Sequence, residues 1–444
     1  MALATPPRRH VDKSAFLPAA ATPTAPTGKP RGSGASSFLK GLKPAATLAQ
    51  WFSLLPVAKP ADDQEATFRW KSFRFAYAVV VIIGSFVESI FSLLRMFETG
   101  VTFYTSVNVM FYTTSIVTSV VFVKMSLEWR DKFSYWSRVE QELSALNGEP
   151  PRLVANMVIM TTVVIVLAAV EHILSIVSTL VQMYPCYDRG GLYLLIEGYY
   201  LMKYRKLFTV VRFSMTRAVI LFVLQIITTF IWNFCDLFVI LLSMGLGALL
   251  RQLNRGMNNS KGKVLLEEYW RKKREAYNNL AILTRTMGDY VGPLVLISYA
   301  SNLYFICLQL LLVTKRTEKS TSLHNAYFFF SFSYLVGRTL AMSLLAADVS
   351  VESQNPKPAL FCVPPASYCS EVRRFLMQVN TDSIAITGCN FFSVTRSFIL
   401  TVAGTIVTYM VILVQFDSAS DGERDHHNST VVACTCSDLK IYDC

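Results

Sequence analysis

No HExxH zinc motif, no zinc-like CxxC pair and no glycine-rich phosphate loop occurs in this sequence. Those absences remove the usual starting points for metal-assisted hydrolysis and nucleotide chemistry. Of the five histidines, His426–His427 stand in a polar tail, and the CTC at 434–436 reads as a disulfide participant rather than a metal site. Charge is also scarce. Asp, Glu, Lys and Arg make up 16% of the chain, against about 25% in soluble domains. An apolar h-region followed by a small-residue cleavage site is missing from the N-terminus, so no cleaved signal peptide is expected. The sequence predicts no enzyme, no cofactor and no metal.

What is present is apolar. Hydrophobic residues make up 52% of the 444, with 30 Phe and 20 Tyr, and the mean hydropathy is +0.39. They gather into runs near 20 residues, the length that crosses about 30 Å of hydrocarbon. The reading is an all-α polytopic membrane protein with seven transmembrane helices near 74–97, 100–123, 154–181, 216–249, 290–313, 324–347 and 396–416. Residues 1–44, rich in Pro, Ala, Gly and Ser, read as a disordered cytoplasmic segment. Residues 45–365 would form the membrane ligand-binding domain, 366–416 an anchor helix with the seventh span, and 417–444 an extracellular tail. AATLAQWFSLLPV at 45–57 is amphipathic and is expected along the inner interface, and 366–394 is expected to be helical but too polar to span. Gly245 and Gly247, in SMGLGALL, read as close helix contacts.

The basic residues fix an orientation. With the N-terminus inside, 29 of the 42 Lys and Arg fall on the inner side. That bias gives an intracellular N-terminus and an extracellular C-terminus, although 182–217 puts six basic residues outside. It also accounts for the +12 charge without nucleic acid, since the cations flank apolar runs. The acidic tail carries a sequon at Asn428, so the protein is expected to be a glycoprotein, with Cys434, Cys436 and Cys444 on the same oxidising side. This orientation is opposite to that of a G-protein-coupled receptor.

Ionisable residues inside spans are costly, and each is a candidate functional group. Glu88, Glu171, His172, Asp236 and Arg338 qualify. Trp232 and Asn233 precede Asp236 by four and three residues on one helical face. Carboxylate, amide and flat aromatic together suit a carbohydrate, whose hydroxyls need acceptors and whose C–H faces pack on rings. The candidate ligand set is therefore Glu171, Asp236 and Trp232, with Glu88, His172, Asn302, Tyr304 and Tyr334. Pairing of Glu171, Asp236 or Arg338 within the bundle is the structural alternative.

The last span carries a second pattern. Thr408 and Gln415 are seven apart on one face, with Ile412 between them and Gly404 one turn earlier. Repeated around an axis, Ile412 would make a dewetting ring and Gln415 a polar ring beside it.

TYMVILVQF at 408–416 resembles the TYhhhhhQF signature that ends the last helix of insect gustatory receptors, matching at Thr408, Tyr409, Gln415 and Phe416. The likeness extends through VEHILSIVS at 170–178, DLFVILLSMGLGALLRQLNR at 236–255, SNLYFICLQLL at 301–311 and the block 387–416, and these resemble the sugar-receptor branch. The resemblance implies a sugar-gated, non-selective cation channel acting as a taste receptor, and a homotetramer or a heteromer with related receptors. Spans one to six would surround an outward-facing pocket, and the seventh would line the central pore, with Ile412 as apolar gate and Gln415 as its polar neighbour. A multi-pass protein in the plasma membrane of chemosensory neurons follows. A G-protein-coupled chemoreceptor is the chief alternative. A sugar transporter is less favoured, since no repeated half is visible.

Overall fold

The computed structural model describes residues 36–58, 67–148, 150, 152–183, 187–314 and 322–421. Asn428 and the tail cysteines lie outside them. Twelve α-helices are found among the described residues. They are α1 (Ser37–Trp51), α2 (Phe73–Thr99), α3 (Phe103–Asn147), α4 (Leu153–Met183), α5 (Tyr187–Lys203), α6 (Arg205–Val210), α7 (Met215–Asn258), α8 (Glu267–Thr314), α9 (Ser322–Gln354), α10 (Pro356–Phe361), α11 (Ser370–Thr381) and α12 (Arg396–Asp421).

Six of these, α2, α3, α4, α7, α8 and α9, are long and apolar enough to cross a membrane. The seventh expected span coincides with α12, whose described apolar part, Arg396–Ile412, is shorter. Helix starts follow local chemistry. Ser72 caps α2 by accepting from the Phe75 N–H, and Thr102 and Thr105 close a capping box on α3. At 45 residues α3 runs about 67 Å, more than twice the hydrocarbon thickness. Helices α7 and α8 are about as long, 44 and 48 residues, so these helices extend well beyond one hydrocarbon thickness.

The packing of α1 corrects the reading of the N-terminal region. Residues 36–44, expected to be disordered, open α1, and α1 is a core helix rather than an interfacial one. Phe38, Leu39, Leu42, Ala45, Ala46 and Ala49 are buried, and α1 packs on α4 and α7. Small residues permit the approach. A Cβ on Gly245 would strike the Phe38 ring and Trp136, so this glycine is a close contact, whereas Gly247 meets only Arg251 of its own helix. The α1 N-terminus rests on a buried carboxylate from α3. Glu140 accepts from the Ser37 N–H at 2.8 Å, the Phe38 N–H at 3.4 Å and Trp136 Nε1 at 3.1 Å, as well as from the Ser36 hydroxyl. Negative charge there is also attracted to the positive end of the helix dipole. Glu140→Ala should strand these donors at a cost of about 2–4 kcal/mol. Protease cleavage within residues 36–51 of the purified protein should then accelerate, and an unchanged digestion pattern would deny Glu140 this role.

The region 366–394 is helical only in part. After α11 the chain turns into a hairpin, β1 (Thr387–Gly388) against β2 (Phe392–Ser393). Cys389 and Asn390 hold φ of 50° and 62° in its three-residue tip, where the Phe391 N–H donates to the Gly388 carbonyl at 3.0 Å. Gly292 of α8 admits the hairpin, since a Cβ there would lie 3.0 Å from Cys389 N. Helix α11 is held by Glu371 between Arg274 and Arg374, at 2.7 and 2.9 Å. The Arg274 hydrogen bond leads in keeping the Glu371 carboxyl below its ordinary range.

In the stretch 182–217, α5 and α6 fold back on the bundle, and Lys206 pairs with Glu98. At least one of the six basic residues there is neutralised locally.

Candidate functional site

Three helices converge on Arg338. Helix α7 supplies Trp232, Asn233 and Asp236 from one face, α8 supplies Asn302, and α9 supplies Tyr334 and Arg338. Asp236 is 1% exposed and Asn302 fully buried. The Arg338 guanidinium lies 2.8 Å from Asp236 Oδ2, and Asn302 Nδ2 donates to that same oxygen at 2.8 Å. Arg338 also donates to Asn302 Oδ1 at 3.3 Å and to Asn233 Oδ1, which further accepts from the Tyr334 hydroxyl at 2.8 Å. Its charge sits 4.3 Å from the Trp232 ring centroid and 5.3 Å from that of Tyr334.

This is a buried, internally bonded network, although Arg338 Nε makes no well-aligned hydrogen bond. Asp236 thus takes the pairing alternative at Oδ2, which meets both Arg338 and Asn302. Trp232 likewise stacks on the guanidinium and packs 5.2 Å from the Phe305 ring. Its Nε1 has no hydrogen-bond partner.

Glu171 lies within electrostatic reach of Arg338 but makes its hydrogen bonds in a neighbouring, less committed group. From α4 it accepts from the Ser331 hydroxyl of α9 at 3.0 Å. Gln309 of α8 donates to Ser331 at 3.3 Å, leaving its own Oε1 without a donor, and Tyr327 lies beside Glu171. Half-buried, with acceptor capacity left over, this cluster can receive hydroxyl donors. Gln309, Ser331 and Tyr327 did not stand out in the sequence. Their only signal is a neutral polar group within an apolar run.

The remaining candidates do not join it. His172, one residue on, makes no bond to this cluster, and its Nε2 lacks a hydrogen-bond partner among the described residues. Glu88 is buried on α2 and lines a separate cleft with Tyr112, Lys203 and Tyr204. Tyr304 fastens α8 to the start of α3, its hydroxyl 2.6 Å from Ser106 Oγ.

Helix α12, like α2 and α4, leaves much of its apolar surface open. It packs on α8 and α9, yet Leu400, Val407, Tyr409 and Val411 are more than half exposed and Ile412 is 37% exposed. Gln415 is exposed, no atom of another residue lies within 4 Å of a Cβ built on Gly404, and Thr408 turns its hydroxyl onto the Gly404 carbonyl at 3.0 Å. The Phe416 side chain lies outside the described residues. The stripe Gly404, Thr408, Ile412, Gln415 is thus left uncovered by the described residues.

Comparison with known proteins places these features. Residues 28–425 match a family model described as trehalose receptor. "Gustatory receptor for sugar taste 64f" of Drosophila melanogaster is 33% identical over 389 residues, which cover 87% of this chain and 82% of that one. "Gustatory receptor 5a for trehalose" of the same organism is 31% identical over 384 residues, covering 86% and 85%. Among solved structures, the insect olfactory receptor OR5 from Machilis hrabei superposes with a TM-score of 0.61 at 15% identity, covering 85% of this chain and 98% of that one. Its complex with eugenol matches equally at 17% identity. At such identities the likeness speaks for the fold.

Proposed function

This chain belongs to the trehalose receptor family of gustatory receptors, and on that footing we propose that it is a sugar-gated, non-selective cation channel acting in taste. It is a multi-pass membrane protein and a receptor rather than an enzyme. The observation that carries the channel reading is the uncovered face of α12. A polar residue beside an apolar ring on an otherwise lipid-suited helix costs free energy against hydrocarbon and little against water. A tetramer with α12 at its axis gives Gln415 that water. Ile412 then forms the resting constriction and Thr408 the layer beneath it. The partners are the sugar, the permeating cations, membrane lipid and other copies of the chain or related receptors. The N-terminus lies inside, Asn428 is glycosylated outside, and the receptor works in the plasma membrane of chemosensory neurons.

Sugar recognition is assigned to Glu171 with Ser331, Gln309 and Tyr327. Asp236 and Trp232 form the floor that holds α7, α8 and α9 in register. Glu88, His172, Asn302 and Tyr304 act at a distance from the bound ring. Trehalose is the first sugar to try, because a relative is named for it.

The test is electrical. Excised patches from cells lacking other sugar responses should pass cation current on adding trehalose, without nucleotides. Current that requires G-protein signalling would restore the G-protein-coupled alternative, which the matches above do not support. Cysteine-specific reagents should reach Ile412→Cys and Gln415→Cys in open channels. Protection of both sites would move the pore elsewhere.

A further inference from the structure

A cleft of about 340 Å3 opens where the C-terminal end of α7 meets the junction of α9 and α10. Its size falls at the lower end of small-molecule sites, roughly 300–1,000 Å3. Its wall includes Arg251, Asn254, Arg255, Lys261, Glu352 and Asn355. None of these belongs to the groups around Arg338 or Glu171.

The charges of this wall are unbalanced. Glu352 is already engaged, since Asn254 Nδ2 and Asn355 Nδ2 donate to its Oε2 at 2.9 and 2.7 Å, and Arg251 lies 4.0 Å from its Oε1. Arg251 is in turn paired with Asp348. Arg255 and Lys261 are exposed, and among the described residues neither side chain has an acidic or hydrogen-bonding partner. Two cations therefore face the cleft beside a carboxylate whose Oε2 is already held by two amides. Asn254 is 6% exposed, and its Oδ1 has no donor. A ligand that meets all of this carries anionic oxygens for the cations and a hydroxyl for the amide.

We propose that this cleft binds a phosphorylated polyol, with Arg255 and Lys261 holding phosphate and Asn254 receiving a neighbouring hydroxyl after a small rotation of its amide. Charge-assisted hydrogen bonds from guanidinium and ammonium to phosphate are the strong type. A bare sugar would leave both cations unmet. A halide ion would leave most of the volume unfilled. The basic-residue count puts this end of the bundle inside the cell, so the ligand is an internal one, separate from any sugar acting from outside. The inference does not rest on channel activity, because binding is measurable on the purified receptor.

Such a ligand has two sources, a soluble phosphorylated polyol or the headgroup of an inositol lipid. Full-length receptor in phosphatidylcholine nanodiscs should bind radiolabelled inositol trisphosphate saturably. If the lipid is the source, binding should instead be seen as a thermal shift on doping the discs with phosphatidylinositol bisphosphate. Either result supports the cleft. The R255Q/K261Q double variant should weaken whichever response is seen by about 10- to 100-fold, while its ligand-free melting temperature and elution stay those of the wild type. Wild-type receptor that responds to neither probe, or a double variant with unchanged affinity, would overturn the assignment.

Discussion

Arg338→Met should destabilise the receptor by about 3–5 kcal/mol, the usual penalty for leaving one member of a buried ion pair behind. Asp236 would keep only the Asn302 amide, at 2.8 Å, in a position 1% exposed. Asn233 would lose its guanidinium donor, and Trp232 the cation on its face. These three residues sit on α7 and Asn302 on α8, so the loss should loosen α9 from both. Fluorescence-detected size exclusion after a heating series would read it as a lower melting temperature and less surface-expressed receptor. Lysine should not rescue, because it offers neither the planar fork nor the stacking surface. The double change Asp236→Leu with Arg338→Met should recover most of the loss, since a buried pair is often replaceable by apolar residues even though half of one is not. A single variant that melts like wild type would mean the network does not hold the helices together.

This network shows how far the sequence was legible. The long helices were readable because a run of about 20 apolar residues has few alternatives in water. Asp236 and Arg338 were visible as costly residues within spans, but their partnership joins positions 102 apart and depends on how α7 and α9 are rotated. Composition and periodicity carry no information on that rotation. Helix α1 was misjudged for a similar reason. Its burial needs the space at Gly245 and the carboxylate of Glu140, both far along the chain, whereas its own Pro- and Ala-containing sequence resembles a solvated tail. The 387–393 hairpin depends on the left-handed pair Cys389–Asn390, of which only Asn390 is a customary turn residue.

The ligand group was half legible. Glu171 was visible as a charge within lipid-suited sequence. Ser331 and Gln309 were not, because serine is tolerated in any helix through its own backbone and a lone glutamine differs little from its neighbours in hydropathy. Only the packing of α4, α8 and α9 brings the three together.

Glu171→Gln should separate recognition from architecture. The substitution keeps size and shape and preserves an oxygen for the Ser331 hydroxyl, now 3.0 Å away. It removes the negative charge that strengthens a hydrogen bond from a sugar hydroxyl. Losing such a bond costs roughly 1.5–3 kcal/mol, or about 10- to 150-fold in affinity. The trehalose dose–response curve should therefore move to higher concentration by that factor, with surface expression and maximal current retained. Ser331→Ala is the companion change. It removes a neutral donor to Glu171 and should produce a smaller shift in the same direction, about 0.5–1.5 kcal/mol or two- to tenfold. The two effects should not add, because both act on the same carboxylate. If Glu171→Gln instead abolishes surface expression while Ser331→Ala is silent, the carboxylate holds α4 to α9 and the sugar site lies elsewhere. If expression and the dose–response curve are both unchanged, Glu171 touches neither the sugar nor any group that orients it.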